Sequence, residues 1–293
     1  MRIPMWRNCF ILSALLLPLG AAADMRHYVA SIADSQWRLA ENSRIRCSLE
    51  HDIPAYGKAV FSSAAGKDQN LLFTLDMWSK PDAATAATLV SKAPSWRPGE
   101  VQSTITRLSY MRDFNGEVPK KAAWSMLTEL ERGREPTFYY ADWYNSNNKV
   151  AVGLSAANFR RKYTEFRQCL SGLLPYSFDD IAFTVLNYES GGTELTRFSK
   201  AQLARVQEYL SLDPDVELIL INAYTDSHGG RNLNQKVSDK RADSVKDFFV
   251  SKGIPADRIQ TEGHGETRHV ASNQGADERQ RNRRVVIQIT KAI

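Results

Sequence analysis

One carboxylate and one guanidinium in the last third of the chain have a spacing that suits the binding of a small charged group. Asp226 follows the apolar stretch Val216–Ala223, and Arg241 comes fifteen residues later in a segment with helical periodicity. Asn234 precedes Arg241 by seven residues, almost two helical turns, so both side chains project from one helix face. A guanidinium can hold a carboxylate through two parallel hydrogen bonds. Together the residues predict a site for a ligand that carries an ammonium and a carboxylate on one carbon.

The alternative for the same residues is an ion pair between Asp226 and Arg241 that holds no ligand. A surface pair of that kind contributes about 0–1 kcal/mol to stability. The loop after Asp226 contains Gly229 and Gly230, and glycines let backbone N–H groups approach a ligand closely. The glycines favour a binding loop, but both alternatives stay open on the residues alone.

Other polar residues nearby predict neither catalysis nor a metal site. The spacing of His264, Glu266 and His269 matches no helical zinc motif. A Ser-His pair directly follows Asp226, but adjacent residues rarely reach base–nucleophile geometry, and the chain has no nucleophile-elbow sequence. We therefore expect a protein that is not an enzyme and uses no metal or cofactor.

A basic run close to the carboxyl terminus has two interpretations. The run consists of Arg279, Arg281, Arg283 and Arg284, and it follows two acidic residues. It either contacts an anionic polymer or forms a solvated helix end.

The segments that must position these side chains alternate between strand and helix. Apolar runs predict four strands, at 181–187, 216–223, 258–262 and 285–290. Periodic segments predict two helices, one capped by Ser199 and ending at Leu210, the other over 232–252. The run 216–223 is almost continuously apolar, which predicts burial on both faces. This order indicates an α/β (α+β) sandwich in the carboxyl-terminal part.

The amino-terminal part is mostly β, as a soluble barrel or sandwich. Strands are predicted at 71–78 and 101–111, and 138–144 with 149–154 form a hairpin around an Asn-rich turn. Segments 81–92 and 119–132 are predicted as helices because a proline begins each of them. A membrane barrel, the alternative, would need about eight alternating ten-residue segments, and only four or five candidate strands are found.

The first 23 residues predict a secretory signal. A basic start is followed by the apolar stretch Phe10–Leu19 and an A-x-A cleavage site at 21–23. That stretch is shorter than the roughly 20 residues that span a bilayer, although an uncleaved anchor is the alternative. Cys9 precedes the stretch, which argues against a lipoprotein. The formal charge of +5 falls to +3 without Arg2 and Arg7, too little for a nucleic-acid-binding face.

Two cysteines, Cys47 and Cys169, remain once the predicted signal is removed. In an oxidising compartment two thiols favour one disulfide, with two separately buried thiols as the alternative. The bridge would close a loop of about 120 residues, worth on the order of 4–5 kcal/mol in the chain-entropy model.

The carboxyl-terminal residues resemble the OmpA-like peptidoglycan-binding family. The resemblance rests on Thr225-Asp226, Asn234, the pair Arg241-Ala242, the loop Gly263–Glu266 and the run Asn282–Val285. It implies that Asp226 and Arg241 contact diaminopimelate, whose side-chain end carries an ammonium and a carboxylate, and that Thr225, Asn234 and Arg283 belong to the same site. Tyr224 replaces a histidine that is common in the family, which predicts a groove without that side chain.

The amino-terminal residues resemble the MotY family of the sodium-driven flagellar motor. Tyr28–Trp37, Arg46-Cys47 and Ile53–Phe61 carry this resemblance. It implies the Cys47–Cys169 disulfide and a periplasmic, non-enzymatic component of the T ring. Its implied partners are peptidoglycan, MotX with the basal-body ring, and sodium-type stator units, directly or indirectly.

We therefore predict a signal peptide over 1–23, a β-rich ring-association domain over 24–175 and an OmpA-like domain over 176–293. Leu170–Ser177, with Gly172 and Pro175, is the predicted linker. Two other functions stay open, an envelope anchor unconnected with flagella and a wall-modifying enzyme that the carboxyl-terminal domain targets.

Overall fold

Two open β-sheets form the amino-terminal part of the protein. The computed structural model describes residues 25–94, 99, 101–189 and 193–291, so the predicted signal lies outside the described residues. The strands among the described residues of this part are β1 (Met25–Tyr28), β2 (Trp37–Asn42), β3 (Arg46–Ile53), β4 (Gly57–Ala64), β5 (Leu72–Met77), β6 (Thr85–Lys92), β7 (Ser103–Tyr110), β8 (Gly116–Val118), β9 (Glu135–Ala141) and β10 (Lys149–Gly153). Its helices are α1 (Lys120–Glu131) and α2 (Phe159–Gly172).

The two sheets share one core, which makes this part a sandwich. One sheet has the strand order β1-β10-β9-β6-β7 and the other β2-β3-β4-β5-β8. Phe73 on β5 stacks on Phe138 on β9, with 5.7 Å between ring centroids. Leu49, Phe61 and Leu89 are fully buried in the same cluster. Alternating apolar residues on both sheets therefore supply the core, as the predicted β-rich fold requires.

One prediction for this part is corrected by the structure, and another is confirmed. The predicted helix 81–92 is wrong, because β6 pairs with both β7 and β9 over Thr85–Lys92. Ala87 and Leu89 are buried, and Thr88 between them is partly exposed. Pairing with a strand on each side therefore outweighs the helix preference of the alanines. The predicted hairpin is confirmed as β9 and β10.

The predicted disulfide is present between Cys47 on β3 and Cys169 on α2. The two Cα atoms lie 5.9 Å apart, and both residues are buried. Helix α2, which the sequence did not predict, is thereby fixed covalently to the sheet that contains β3.

Buried His51 makes the stability of the amino-terminal part depend on pH. Its ring stacks on Trp37 at 4.4 Å, and its Nδ1 atom lies 3.0 Å from the Gln36 carbonyl oxygen. Burial lowers the pKa of His51 below its usual value, since desolvation outweighs the Gln36 contact and the nearby Asp52 carboxylate. Below the pKa of the unfolded chain, about 6.5, the unfolded state binds the extra proton. The free energy of unfolding therefore falls as the pH drops below that value.

We expect His51→Phe to flatten this pH dependence between pH 7.5 and 5.5. Phenylalanine keeps the aromatic stack on Trp37 but does not titrate. Urea unfolding followed by tryptophan fluorescence at several pH values measures the slope for both chains. His27, exposed on β1, provides the matched control, because His27→Phe should leave the slope unchanged. Equal slopes for the wild type and His51→Phe would contradict the assignment.

The carboxyl-terminal part is one sheet with its two long helices on one face. Its elements are β11 (Phe183–Asn187), α3 (Arg197–Leu212), β12 (Val216–Tyr224), α4 (Arg231–Ser251), β13 (Ile259–Gly263), α5 (Ala276–Asn282) and β14 (Arg284–Lys291). The strand order is β11-β14-β12-β13, with β12 and β13 parallel and the other neighbours antiparallel. Val206 of α3 and Phe249 of α4 are buried in one cluster with Ile219, Ile221 and Ile287 of the sheet. The predicted α/β sandwich is thus confirmed.

Two details of this part differ from the sequence prediction. Thr196, and not Ser199, caps α3, since its side chain accepts the Ser199 backbone N–H at 3.1 Å. Strand β12 alternates between buried and partly exposed residues along much of its length. The long helices cover one face of this sheet. The prediction that the apolar run 216–223 is buried on both faces is therefore wrong.

The predicted linker is ordered and packed. Residues up to Gly172 belong to α2. Leu174 donates its N–H to the Arg44 carbonyl at 2.8 Å and accepts the Gly66 N–H at 3.0 Å. The Tyr176 hydroxyl donates to Glu208 at 2.6 Å, and Glu208 also pairs with Arg44. The boundary between residues 175 and 176 stays a prediction, but the chain that crosses it connects both parts by hydrogen bonds.

In the described part of the chain, no helix is long and apolar enough to cross a membrane.

Candidate functional site

The predicted site residues come together at one edge of the carboxyl-terminal sheet. Because β12 and β13 are parallel, the loops that follow them leave the sheet at the same edge. Strand β11 also ends there, where Asn187 pairs with Arg284 at the beginning of β14. The amino-terminal end of α4 follows the loop after β12. Four strands and one helix therefore place their ends around one small volume.

Asp226 lies in this volume and is paired with Arg283. It is 5% exposed, and its Oδ2 atom accepts a hydrogen bond from Arg283 Nη1 at 2.6 Å. Its Oδ1 atom accepts the His228 backbone N–H at 2.8 Å, which fixes the carboxylate within its own turn. Arg283 also donates from Nη2 to the Gln280 side-chain oxygen. Its Nε atom is buried without a hydrogen-bond partner. Arg283, which the resemblance assigns to the site, therefore contacts Asp226 directly.

Arg241 faces the same volume without a direct ion pair. Its guanidinium carbon lies 4.2 Å above the Tyr188 ring, and its Nη1 atom donates to the Tyr224 carbonyl at 3.5 Å. No carboxylate oxygen among the described residues lies within 4.0 Å of it in an ion pair. The alternative of a direct Asp226–Arg241 pair is therefore not what the structure shows.

The charge balance of the site favours an anion. Burial lowers the pKa of Arg241; the neighbouring Arg283 lowers it further, whereas Tyr188 and Asp226 act in the opposite direction. Two guanidiniums thus share one carboxylate in a partly desolvated setting. A ligand carboxylate between the two arginines would relieve their repulsion, and a ligand ammonium would find Asp226.

Thr225 and Asn234 lie beside the charged residues. Thr225 is 3% exposed, its N–H donates to the Gly265 carbonyl at 2.8 Å, and its hydroxyl is buried without a partner. Asn234 is 5% exposed and donates to Glu266 at 2.7 Å. The site therefore holds one buried hydroxyl without a hydrogen-bond partner among the described residues and one amide that is oriented by an acid.

Two residues of the site, Tyr188 and Gln280, were missed in the sequence, and Asn282 was named there only as part of the family pattern. Tyr188 directly follows β11. Gln280 lies on α5, about one turn before Arg283, which follows the end of that helix. Asn282 is fully buried and accepts the N–H groups of Val270 and Ala271 at 2.9 and 3.0 Å, which folds the loop between β13 and α5. The i, i+3 spacing of Gln280 and Arg283 was an available signal. Tyr188 had none, because its place depends on strand order.

The close packing of α4 on β13 explains one glycine of the family pattern. A Cβ atom added to Gly263 would lie 2.5 Å from the backbone nitrogen of Asp239. Any larger residue would push the helix that carries Arg241 away from the sheet, so Gly263 contributes to the position of the site.

The other candidates have structural contacts. His264 Nε2 lies 2.9 Å from the Asn222 side chain, and His269 Nδ1 lies 2.9 Å from that of Asn273. Within the described residues, no group of three or more His, Cys, Asp or Glu side chains is placed to hold a metal ion. The arginines of the basic run 279–284 have different surroundings. Arg279 donates to the carbonyls of Asn273 and Gln274, whereas Arg281 is exposed.

The prediction that Tyr224 removes the family's histidine from the diaminopimelate site is corrected by the direction of the Tyr224 side chain. The Tyr224 ring stacks on His264 at 4.8 Å and lies 4.0 Å below the Arg284 guanidinium. It lines a groove on the outer sheet face with Asn222 and Arg284. The side chain therefore points to the opposite face from buried Ala223, and only its carbonyl oxygen contacts Arg241.

Comparison with known proteins divides the chain into two family segments. Residues 28–175 match the MotY N-terminal domain, and residues 187–283 match the OmpA family. The peptidoglycan-associated lipoprotein from Burkholderia pseudomallei has 22% identity and a TM-score of 0.34 over 36% of this chain and 89% of that chain. Outer membrane protein A of Bordetella avium is 51% identical over 75 residues, which are 26% of this chain and 39% of that protein.

One relative extends over nearly the whole sequence. The sodium-type flagellar protein MotY of Vibrio parahaemolyticus serotype O3:K6 is 42% identical over 279 residues, 95% of each chain. Both disulfide cysteines lie within the segment that matches the MotY N-terminal domain. The chain therefore belongs to the MotY family.

Proposed function

We propose that the carboxyl-terminal domain binds peptidoglycan through diaminopimelate. The observation that carries this proposal is the grouping of Arg241, Arg283 and Asp226 at one sheet edge, with two half-buried cations and one buried anion. The diaminopimelate carboxylate would lie between the two guanidiniums, and its ammonium would contact Asp226. Thr225 would donate its free hydroxyl, and Asn234 would line the same volume. Binding requires no bond to be made or broken, so the proposed role is non-enzymatic.

We further propose that the whole protein is a periplasmic component of the T ring of the sodium-driven flagellar motor. The similarity to the Vibrio MotY protein over 95% of both chains supports this role. The β-rich domain would associate with MotX and the basal-body ring, and the carboxyl-terminal domain would fix the ring to the wall. The assembly would help to capture sodium-type stator units. Motor torque would then be resisted by peptidoglycan.

Two rival functions use the same wall site. A general envelope anchor would bind peptidoglycan but have no connection with flagella. A wall-modifying enzyme would use the domain for targeting and would release soluble fragments from purified sacculi. The match of residues 28–175 to the MotY N-terminal domain favours the motor role over both.

We expect cells that lack this protein to be paralysed while they still carry filaments. A ring component that captures stators acts after the filament has been built, so swimming is lost and filament number is not. Swimming in soft agar, with filaments counted by electron microscopy in the same cultures, measures both quantities. Expression of the full chain from a plasmid is the control and should restore swimming. Normal swimming of the deletion strain would contradict the motor role.

A further inference from the structure

The outer face of the carboxyl-terminal sheet carries a groove that the wall site does not use. The helices α3 and α4 cover one face of this sheet. On the opposite face, a groove of about 720 Å³ lies between the sheet, the loop after β13 and helix α5. That volume is within the range of about 300–1,000 Å³ in which proteins bind drug-sized ligands. It can hold a few side chains of a partner.

The floor of the groove is apolar, and several of its residues are exposed to solvent. Phe183 is 60% exposed and Val270 is 61% exposed. Leu220 and Val286 continue the apolar surface across the neighbouring strands. Large exposed apolar side chains that form one patch mark interaction surfaces more often than isolated ones do.

The charged residues that line the groove are all arginines. They are Arg268, Arg281 and Arg284, and no acidic residue lines the groove among the described residues. Arg268 and Arg281 are exposed and form no ion pair with another described residue. A partner must therefore supply the negative charge.

Arg284 provides an independent sign that the groove suits an anion. The residue is 7% exposed, and its guanidinium donates to the carbonyl oxygens of Arg268 at 2.9 Å and Asn282 at 3.4 Å. Its remaining contact is the face of the Tyr224 ring. Among the described residues no carboxylate pairs with it. A buried charge without a counter-ion is costly, and a bound carboxylate would reduce that cost.

The two consecutive arginines of the Asn282-Arg283-Arg284 run thus serve different faces of the sheet. Arg283 contacts Asp226 in the wall site, and Arg284 lines the outer groove. Successive residues at the start of a strand point to opposite faces. Wall binding and groove binding can therefore be altered separately.

We propose that this groove binds an extended peptide segment of another envelope protein in which acidic and apolar side chains alternate. The acidic side chains would pair with Arg268, Arg281 and Arg284, and the apolar ones would cover Phe183 and Val270. Since an extended chain presents every second residue to the same side, this alternation fits a groove with apolar floor and cationic rim. A second copy of this chain is a poor occupant of the groove in a face-to-face arrangement, because two such rims would repel each other.

The test uses the full mature chain and two labelled peptides, Glu-Leu-Glu-Phe-Glu-Leu-Glu and its counterpart with lysine at each glutamate. Fluorescence anisotropy measures affinity, and methyl and aromatic NMR shifts locate the site. We expect the acidic peptide to bind, to shift Phe183, Leu220 and Val270, and to weaken severalfold between 50 and 300 mM salt. The lysine peptide should bind at least tenfold more weakly.

Variants separate the groove from the wall site. The double variant Arg268→Glu/Arg281→Glu should weaken acidic-peptide binding at least tenfold and leave sacculus co-sedimentation within twofold of wild type. The control is Arg197→Glu/Lys236→Glu, which makes the same charge change at exposed helical positions and should preserve peptide binding. Phe183→Asn tests the apolar contact without reversing any charge and should weaken binding severalfold.

Several results would overturn the proposal. They are equal binding of the two peptides, shifts that map to Tyr188 and Thr225 at the wall site, or unchanged peptide binding by the double variant. A loss of sacculus binding by that variant, with the peptide unaffected, would assign the groove to the wall. Sedimentation could instead detect a dimer that the double variant disrupts, while the peptide does not bind the wild type. That result would assign the groove to a second copy of the chain. A failure of the wall-site proposal alone would leave peptide binding intact.

Discussion

Replacing Arg241 by glutamine is expected to reduce binding of the purified protein to sacculi by tenfold to a hundredfold. Glutamine keeps a polar side chain near Tyr188 but removes the charge and the planar pair of donors. A charge-assisted hydrogen bond contributes roughly 1.5–3 kcal/mol, and about 1.4 kcal/mol corresponds to a factor of ten. Removal of one such contact with the diaminopimelate carboxylate therefore accounts for the expected loss. Co-sedimentation at a series of sacculus concentrations measures it.

Asp226→Asn should weaken binding by a similar factor for a second reason. The amide still can accept the His228 N–H, but it no longer balances Arg283 or attracts an ammonium. Arg197→Gln, at an exposed position on α3, is the matched control and should bind like the wild type. Circular dichroism must show a native fold for each variant. Unchanged pelleting of folded Arg241→Gln and Asp226→Asn would show that the site has been assigned wrongly.

Loss of the Cys47–Cys169 bridge is expected to produce the largest change in stability. The bridge spans a sequence separation of 122 residues, for which the chain-entropy model gives about 4–5 kcal/mol. The total free energy of unfolding of a domain is about 5–15 kcal/mol. The variant Cys47→Ala/Cys169→Ala should therefore unfold at a clearly lower urea concentration. It should also accumulate to a lower level in the periplasm, because the unfolded chain is a protease substrate.

Reduction provides the control for the disulfide. Adding reductant should lower the unfolding midpoint of the wild type and leave that of the double alanine variant unchanged. Thiol counting in denaturant should find no reactive thiol in the mature wild-type chain before reduction. Two reactive thiols, or the same midpoint with and without reductant, would rule out a stabilising bridge in the native protein.

Spacing in the sequence accounts for why several of the proposed site residues lie together in the structure. Asp226 directly follows a strand, and Asn234 and Arg241 share one helix face, so spacing alone brings them together. The partner of Asp226 could not be found in this way. Arg283 reaches it only because α5 turns back across the sheet edge, a contact between residues 57 positions apart. Long-range pairs of this kind depend on strand order, which spacing does not encode.

The amino-terminal part was harder to predict for a related reason. Thr85–Lys92 contains alanines that favour a helix, yet it lies between two strands and completes a sheet. The neighbours that decide its conformation are β7 and β9, and β9 begins more than 40 residues away. In contrast, the β9–β10 hairpin was predicted because both strands and their turn are adjacent in the sequence. Local signals in the sequence identified pairings between adjacent segments, whereas the conformation of β6 depends on a strand that is distant in the sequence.

The central claim is that Arg241, Arg283 and Asp226 recognise the zwitterionic end of diaminopimelate. Calorimetric titration of the purified protein with two soluble muropeptides tests this claim most directly. One carries meso-diaminopimelate in its stem, and the other carries lysine at the same place, which keeps the ammonium and lacks the carboxylate. We predict that the diaminopimelate form binds at least tenfold more tightly and that Arg241→Gln removes this difference. Equal affinity of the wild-type protein for the two muropeptides would contradict the account.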